Sequence, residues 1–134
     1  MPMGVFSKLF GERQEPIHIE GPDEYELNVV GESQYQKALK KICGGHRKGR
    51  GHFFKTSATL FCEDDNPHDS QTVRVDIDGK TVGYLSINDA RRYRRRLAKQ
   101  GHPGILISCD AAIVGGWDKG WFDKGNFGVR LDLP

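Results

Sequence analysis

Residues 63–75 read EDDNPHDSQTVRV, an acidic turn that leads into an alternating segment. Pro67 has no backbone N–H to donate and disfavours the α region for Asn66, so the first half of the segment is predicted to be a loop. Asn66 and Asp69 have short polar side chains that bond nearby backbone groups, which predicts a rigid turn. From Val73 onward apolar and polar residues alternate, and this period of two predicts a strand.

Short strands are predicted on both sides of this loop. A strand over residues 53–61 precedes it, with residues 54, 56, 58 and 60 on one side. After the loop, Asp78-Gly79 predicts a two-residue hairpin, because a type I′ turn needs positive φ at both central positions. Further strands are predicted over residues 27–30, 105–114 and 127–133. Together they predict a mainly β fold, a small and mostly antiparallel β-barrel.

Two short helices are predicted to flank the barrel. The first begins at Ser33, whose spacing to Gln36 matches a capping box, and ends at Gly44-Gly45. The second begins at Ser86 with Asp89 as its capping partner, runs to about Lys99 and ends before Gly101. Its predicted buried face consists of Ile87, Ala90, Tyr93 or Arg94, and Leu97.

The length and composition of the chain indicate one soluble domain. The chain has 134 residues, of which 37% are hydrophobic and 28% are charged. We expect a flexible N-terminal arm over residues 1–21 and a barrel domain over residues 22–134. No apolar run reaches the length of a membrane span and no signal peptide is visible, so no membrane partner is expected. Cys43, Cys62 and Cys109 lack a paired spacing, which favours a reducing compartment, cytoplasmic and nucleoid-associated in a bacterium.

Positive charge is concentrated in two segments. Residues 45–52 are rich in glycine, carry Arg47, Lys48 and Arg50, and are predicted to form an exposed, mobile loop. The second helix carries six positive charges after Asp89: Arg91, Arg92, Arg94, Arg95, Arg96 and Lys99. If both segments lie on one side of the barrel, they form a groove suited to a phosphate backbone, with strong salt dependence and little sequence preference. The alternative is that these faces are simply solvated, with arginine stems covering apolar neighbours.

Other residue patterns have two readings each. Tyr84, Trp117, Trp121 and Phe122 are candidate stacking platforms for bases, or they cover the mouth of the barrel. Cys43 and His46, with His52 and the other cysteines, are candidate zinc ligands, but only Cys43 and His46 have a ligand-pair spacing. The acids around His68 would suit a metal-dependent hydrolase, yet acids beside a Pro turn are more often structural. The prediction is therefore a protein without a cofactor, a metal or an enzymatic activity.

The order of these motifs resembles the HIRAN domain family over about residues 25–134. The motifs that carry the resemblance are Val29-Val30-Gly31 with Tyr35, Asn66-Pro67 with Asp69, Val73-Arg74-Val75, Gly83-Tyr84-Leu85 and Gly115-Gly116. The resemblance implies a modified oligonucleotide-binding (OB) barrel that binds single-stranded DNA and recognises its free 3′ end. It also implies an association with DNA repair or replication, and with DNA-translocating ATPases as partners.

The resemblance assigns roles to individual residues. It implies that Asp69 bonds the terminal 3′-hydroxyl, that Asn66 shapes the pocket and that Tyr35 lies near the backbone of the last nucleotides. DNA-binding members of the family sandwich the terminal base between two aromatic rings, and Gln34 and His68 occupy those positions here. Ser33 occupies the position of a phosphate-binding arginine. Stacking on an aromatic ring is worth about 1–3 kcal/mol per base, of which glutamine supplies only part.

The sequence therefore predicts a nucleic-acid-binding module without catalytic chemistry. The predicted contact residues are Gln34, Tyr35, Arg47, Lys48, Arg50, Asn66, His68, Asp69, Tyr84, Arg91, Arg92 and Arg95. One alternative is a protein-interaction adaptor that recruits a DNA-processing enzyme through the barrel mouth or the loop over residues 117–122. The other is a metal-dependent nuclease or other hydrolase.

Overall fold

A computed structural model describes residues 15–134, and its secondary structure is mainly β. The strands are β1 (Ile17–Ile19), β2 (Leu27–Asn28), β3 (Arg47–Lys48), β4 (His52–Cys62), β5 (Val73–Ile77), β6 (Lys80–Tyr84), β7 (Ile107–Gly115), β8 (Trp117–Asp118) and β9 (Phe127–Asp132). The helices are α1 (Gln36–Cys43) and α2 (Ile87–Lys99), and a 3₁₀ turn (Glu32–Tyr35) precedes α1. The predicted mainly β class with two short helices is confirmed.

One sheet contains seven of the strands. Its order is β2-β9-β7-β4-β5-β6 with antiparallel neighbours, and β1 pairs in parallel with the first part of β7. The sheet curls into a half-barrel. Just beyond β2, Val30 exchanges two backbone hydrogen bonds with Tyr84 of β6, at 2.8 and 2.9 Å. These bonds link the two ends of the strand order. The short strands β3 and β8 form a separate parallel pair.

The core lies between the curled sheet and the two helices. Leu39 of α1, Leu60 of β4 and Val75 of β5 are fully buried in one cluster. The predicted inner face of β4 is correct at Ala58 and Leu60, but Phe54 is 39% exposed, so this side of the strand is not buried in its first half.

The buried face of α2 differs from the prediction at one position. Ala90, Tyr93 and Leu97 are buried as predicted. Ile87 is 62% exposed. A side chain at the first position of a helix leans toward the N-terminus and so projects past the packed face. The Tyr93 hydroxyl is buried without a hydrogen-bond partner among the described residues, and burial raises its pKa.

Several turns and helix caps that the local sequence predicts are confirmed. Asp78 and Gly79 have φ of 55° and 76°, as the type I′ hairpin requires. Ser86 Oγ accepts a hydrogen bond from the backbone N–H of Asp89 at 3.1 Å, which confirms the N-cap of α2. Gly44 ends α1 in the left-handed region, with its N–H bonded to the Lys40 carbonyl.

The capping box predicted at Ser33 is wrong. Its side chain makes no cap hydrogen bond, and residues 32–35 form the 3₁₀ turn instead. Gln36 is committed elsewhere, because its Nε2 donates to the Phe127 carbonyl at 2.8 Å and its Oε1 accepts from the Phe127 N–H at 2.7 Å. The glutamine therefore joins α1 to β9.

The N-terminal region is partly ordered into the sheet. Residues 1–14 of the predicted arm lie outside the described residues. Within the remainder, Ile17–Ile19 pair with Ile107–Cys109 of β7. The carboxylate of Asp132, which is buried, accepts hydrogen bonds from the backbone N–H groups of residues 23, 24 and 25. These bonds position the segment that leads into β2.

The glycine-rich basic loop has more structure than predicted. Arg47 and Lys48 form β3 against β8, although their side chains are exposed as expected. His52 Nε2 lies 2.7 Å from the Gly45 carbonyl oxygen, and His46 Nε2 lies 3.1 Å from that of Gly125. In the part of the chain that the structure describes, neither helix has the length and apolar character that a membrane crossing needs.

Candidate nucleic-acid interface

The loop around Pro67 is fixed by its own side chains, as predicted. Asn66 Oδ1 accepts from the backbone N–H of His68 at 2.8 Å and of Asp69 at 3.3 Å. Asn66 Nδ2 donates to Glu63 Oε1 at 3.1 Å. Asn66 thus holds the loop together from within, with its amide oxygen bonded to two backbone N–H groups and one amide hydrogen bonded to Glu63.

A polar network continues from this loop over the outer face of β5 and β6. Arg74 donates to Glu63 Oε2 at 3.0 Å and binds both carboxylate oxygens of Asp76. Burial lowers the pKa of Arg74, but the bonds to Asp76 and Glu63 outweigh that effect and the pKa is raised. The guanidinium carbon also lies 4.4 Å from the centroid of the Phe61 ring. Arg74 is therefore a structural cation rather than a free one.

Tyr84 and Tyr35 border the same network. Tyr84 pairs with Arg74 across β5 and β6, and the 3₁₀ turn that contains Tyr35 lies against β6. Burial raises the pKa of the Tyr84 hydroxyl, and the neighbouring Glu63 and Tyr35 side chains add to the effect. Of the predicted contact residues, Tyr35, Asn66, Asp69 and Tyr84 therefore share one surface, which we call the proline-loop site.

Asp69 is the member of this site with a carboxylate oxygen available to a ligand. Its Oδ1 accepts from the Gln71 N–H at 2.9 Å and so belongs to the turn. Its Oδ2 lies 3.8 Å from Arg91 Nη2, and the Asp69 side chain keeps 30% of its exposure. Gln34 and His68, at the positions of the two rings, are both exposed. The site thus offers one acceptor oxygen beside one guanidinium.

The arginines of α2 are largely paired with carboxylates. Arg94 contacts Asp64 at 2.7 Å and two loop carbonyls, and Arg92 contacts Asp89 at 3.2 Å. With the contact between Arg91 and Asp69, three of the six positive charges on the helix face an acid. Arg95 lies in a shallow surface depression beside Lys99. The helix is therefore a weaker phosphate-binding surface than its sequence indicates.

The two basic segments contact different parts of the chain: β3 pairs with β8, whereas Arg94 of α2 contacts the loop that follows β4. Residues 47–50 precede the first residue of β4, whereas the loop that contacts α2 follows its last residue. β4 has 11 residues, which at about 3.3 Å per residue separates its ends by roughly 33 Å along the strand. The groove that Arg50 lines contains no residue of α2, so the single trough formed by both segments stays a prediction.

The groove at Arg50 is lined in part by the basic loop. It has a volume of about 460 Å³, and its lining includes Arg50, Arg130, Ser33, Gln36 and Asn126. We call it the basic groove. Its walls are joined by the pairing of β3 with β8 and by the bonds between Gln36 and Phe127. Both arginine side chains that line it are exposed.

The two segments that line the basic groove are rich in positive charge. Residues 32–50 and 114–130 supply all of its lining and contain nine Lys or Arg against three Asp or Glu, of which Glu32 itself lines the groove. The cations are Lys37, Lys40, Lys41, Arg47, Lys48, Arg50, Lys119, Lys124 and Arg130. The α1 lysines and Arg130 are not among the predicted contact residues, because they do not form a continuous basic run in the sequence. Their positions on the exposed sides of α1 and β9 are the signal that could have identified them as part of a charged surface.

The aromatic residues of β8 and of the loop that follows it differ in how far their side chains are buried. Trp117 packs against Gly125, and its Nε1 donates to Asp123 at 2.9 Å. Trp121 and Phe122 are 79% and 85% exposed, with ring centroids 3.9 Å apart. Trp117 therefore has a structural role, whereas Trp121 and Phe122 form an exposed aromatic pair beside the groove-forming loop.

The residues considered for zinc or catalysis serve other contacts. The Nε2 atoms of His46 and His52 face backbone carbonyls, and Cys109 is buried in the core, where burial raises its pKa to about 12. Among residues 15–134, no three donors from the acidic loop around His68 come within ligand distance of one another. The hydrolase alternative thus gains no geometric support from the described loop.

Comparison of the chain with models of protein families, with curated proteins and with solved structures gives no significant match. The resemblance to HIRAN domains stays a prediction from the sequence motifs.

Proposed function

We propose that the protein is a non-catalytic nucleic-acid-binding module whose main contact surface is the basic groove. The observation that carries the proposal is the exposure of Arg50 and Arg130 in a groove whose surrounding segments hold nine cations and three acids. A phosphate backbone supplies the complementary charge, and neutralising it releases counterions. In this proposal the curled sheet functions as an OB-like barrel, joined end to end at Val30 and Tyr84.

Single-stranded DNA is the proposed ligand because aromatic surface accompanies the charge. Trp121 and Phe122 expose ring faces in the loop that follows β8. Unpaired bases stack on such rings, whereas the bases of a duplex are already stacked on each other. The groove is also polar and open, so it suits a flexible backbone more than an apolar small molecule.

Fluorescence polarisation with a labelled single strand and a duplex of the same sequence tests this proposal. We expect the single strand to bind more tightly, with an affinity that falls steeply between about 50 and 200 mM salt and depends little on base sequence. Failure to bind at low salt would contradict the proposal, and so would an affinity that is independent of salt.

A second step of the proposal concerns the 3′ end of the strand. Ser33 lines the basic groove, and Tyr35 of the same 3₁₀ turn belongs to the proline-loop site. A strand that leaves the groove over this turn would bring its terminal hydroxyl to Asp69 Oδ2, with Arg91 beside the last phosphate. The barrel would then hold DNA ends for a separate DNA-processing enzyme such as a translocating ATPase.

Asp69→Asn should remove the preference for a 3′-hydroxyl without unfolding the loop. The amide keeps an oxygen to accept from Gln71 but loses the charged acceptor, and a hydrogen bond to a charged group contributes about 1.5–3 kcal/mol. We expect the wild type to bind a 3′-hydroxyl strand at least about tenfold more tightly than a 3′-phosphate strand. In the variant the two affinities should become equal.

Asp65→Asn is the matched control, because Asp65 is exposed in the same loop. It should leave the preference unchanged. Equal affinity of the wild type for both strands would exclude recognition of the 3′ end and leave the groove as the binding surface.

The exposed pair of Trp121 and Phe122 favours an adaptor as the second candidate function. Large exposed aromatic side chains are enriched where proteins contact each other. An adaptor would bind a DNA-processing protein through this loop and would not itself retain DNA at low salt. The polarisation experiment above separates the two functions.

A further inference from the structure

Three potential metal ligands meet where β1 joins β7. His18 lies on β1, Glu20 follows two residues later on the same side, and Asp110 lies on β7 beside them. His18 Nε2 is 3.3 Å from Asp110 Oδ1. One donor atom from each of the three residues lies within 4.8 Å of the other two. The sequence separates the first two residues from the third by about ninety positions, so only the parallel pairing of β1 brings them together.

The spacing of these donors fits a transition-metal ion. Two ligands at about 2.1 Å from a tetrahedral ion lie roughly 3.4 Å apart, close to the observed separation of His18 and Asp110. The Glu20 side chain is long and exposed, so a rotamer change brings its carboxylate to the same centre.

A second contact orients the histidine. His18 Nδ1 lies 2.8 Å from Ser108 Oγ. With its proton on Nδ1 the ring donates to the serine oxygen, and the lone pair of Nε2 then faces Asp110. Histidines that ligate metals in proteins usually hold the other ring nitrogen in a hydrogen bond of this kind.

The surroundings carry negative charge. Asp132 lies opposite Asp110 in the pairing of β7 with β9, and its carboxylate holds the segment that contains Asp23. Lys55 is the nearby cation, 5.7 Å from the Tyr25 centroid. A divalent ion would offset this excess of carboxylates.

We propose that His18, Glu20 and Asp110 bind one divalent transition-metal ion of the Zn²⁺ class, with water completing the coordination. A single imidazole with two carboxylates favours Zn²⁺ or its neighbours over Mg²⁺ and Ca²⁺, which prefer oxygen ligands alone. The ion joins the three-residue strand β1 to β7 and so stabilises the N-terminal end of the described chain. This site is independent of the basic groove.

Titration of the metal-free full-length protein with Co²⁺ and Zn²⁺ tests the proposal. We expect one ion per chain by calorimetry, a melting temperature that rises with Zn²⁺ concentration, and slower hydrogen exchange at the amides of Ile17–Ile19. His18→Gln and Asp110→Asn should each lower the affinity at least about tenfold. Circular dichroism without metal establishes that the variants are folded.

Two controls identify the ligands. Glu24→Gln changes an exposed acid of the adjoining segment, and Cys43→Ser removes a half-buried thiol elsewhere, so both should bind metal like the wild type. Retention of full affinity by His18→Gln would overturn the proposal. The same conclusion would follow if Glu24→Gln weakened binding as much as Asp110→Asn, or if the wild type bound no Co²⁺.

Discussion

Charge reversal of both arginines in the basic groove, Arg50→Glu with Arg130→Glu, is expected to weaken binding of single-stranded DNA by about 100-fold. Each reversal replaces attraction to a phosphate by repulsion. A loss of about 1.4 kcal/mol per position corresponds to tenfold in affinity. Two phosphate contacts are also lost, so the affinity should depend less steeply on salt. In a plot of log affinity against log salt concentration, the slope should become smaller in magnitude by about two. Polarisation titrations at several salt concentrations measure both quantities.

The matched control is Arg92→Glu with Arg95→Glu on α2, which changes the net charge of the protein equally. Arg92 already faces Asp89, and α2 contacts the loop that follows β4, whereas the basic loop precedes β4. With a strand whose 3′ end carries a phosphate and is therefore not held beside Arg91, we expect a loss of less than about threefold, because the charges of α2 then lie remote from the bound phosphates and are screened over roughly 10 Å. A loss as large as that of the groove variant would show that overall charge governs binding. A larger loss would show that α2 is the main binding surface.

Features that depend on neighbouring residues were predictable from the sequence. The Asp78-Gly79 hairpin and the Ser86 cap are set by the conformational needs of a few consecutive residues. The Asn66 turn belongs to the same class, because its bonds span two or three positions. The alternation from Val73 to Ile77 likewise revealed one buried and one outer face.

Features that depend on distant partners were not predictable in the same way. β1 has three residues and no informative period, and it exists because β7 supplies its backbone partners. Gln36 could be read as a cap only because nothing local indicated its bond to Phe127. These contacts join residues that are about ninety positions apart in the sequence, so propensity and spacing do not report them.

The candidate interface shows the same limit for charge. The arginine run of α2 indicated a free cationic face, but Asp64 and Asp69 come from a loop more than twenty residues earlier and neutralise part of it. The positive groove instead gathers Arg50 and Arg130 from separate elements. One part of this arrangement was predictable from the sequence, however. A strand predicted over residues 53–61 is about 26 Å long, which already separates the basic loop from the acidic loop at its other end.

Gly83→Ala tests the link between β6 and the chain that follows β2. A Cβ at this position would lie 2.4 Å from Val29 Cγ1 and 2.6 Å from the Val30 carbonyl oxygen. That oxygen accepts the Tyr84 N–H at 2.9 Å. The added methyl group meets backbone that no rotamer change can move, so the Val30–Tyr84 hydrogen bonds should be strained or lost. We expect the free energy of unfolding to fall by about 3 kcal/mol, the upper part of the usual range for overpacking.

Urea denaturation measures this change, and Gly128→Ala is its control. At position 128 the nearest atom to an added Cβ is Val114 Cγ2 at 3.4 Å, an ordinary contact. The control should change the free energy of unfolding by less than about 1 kcal/mol. Because Tyr84 shares the proline-loop site with Tyr35, Gly83→Ala should also reduce the preference for a 3′-hydroxyl strand while groove binding persists in the folded fraction. If Gly83→Ala were as stable as the control, β6 and Val29-Val30 would not be in contact. The curled sheet would then lack the Val30–Tyr84 hydrogen bonds that bring Tyr35 close to Tyr84.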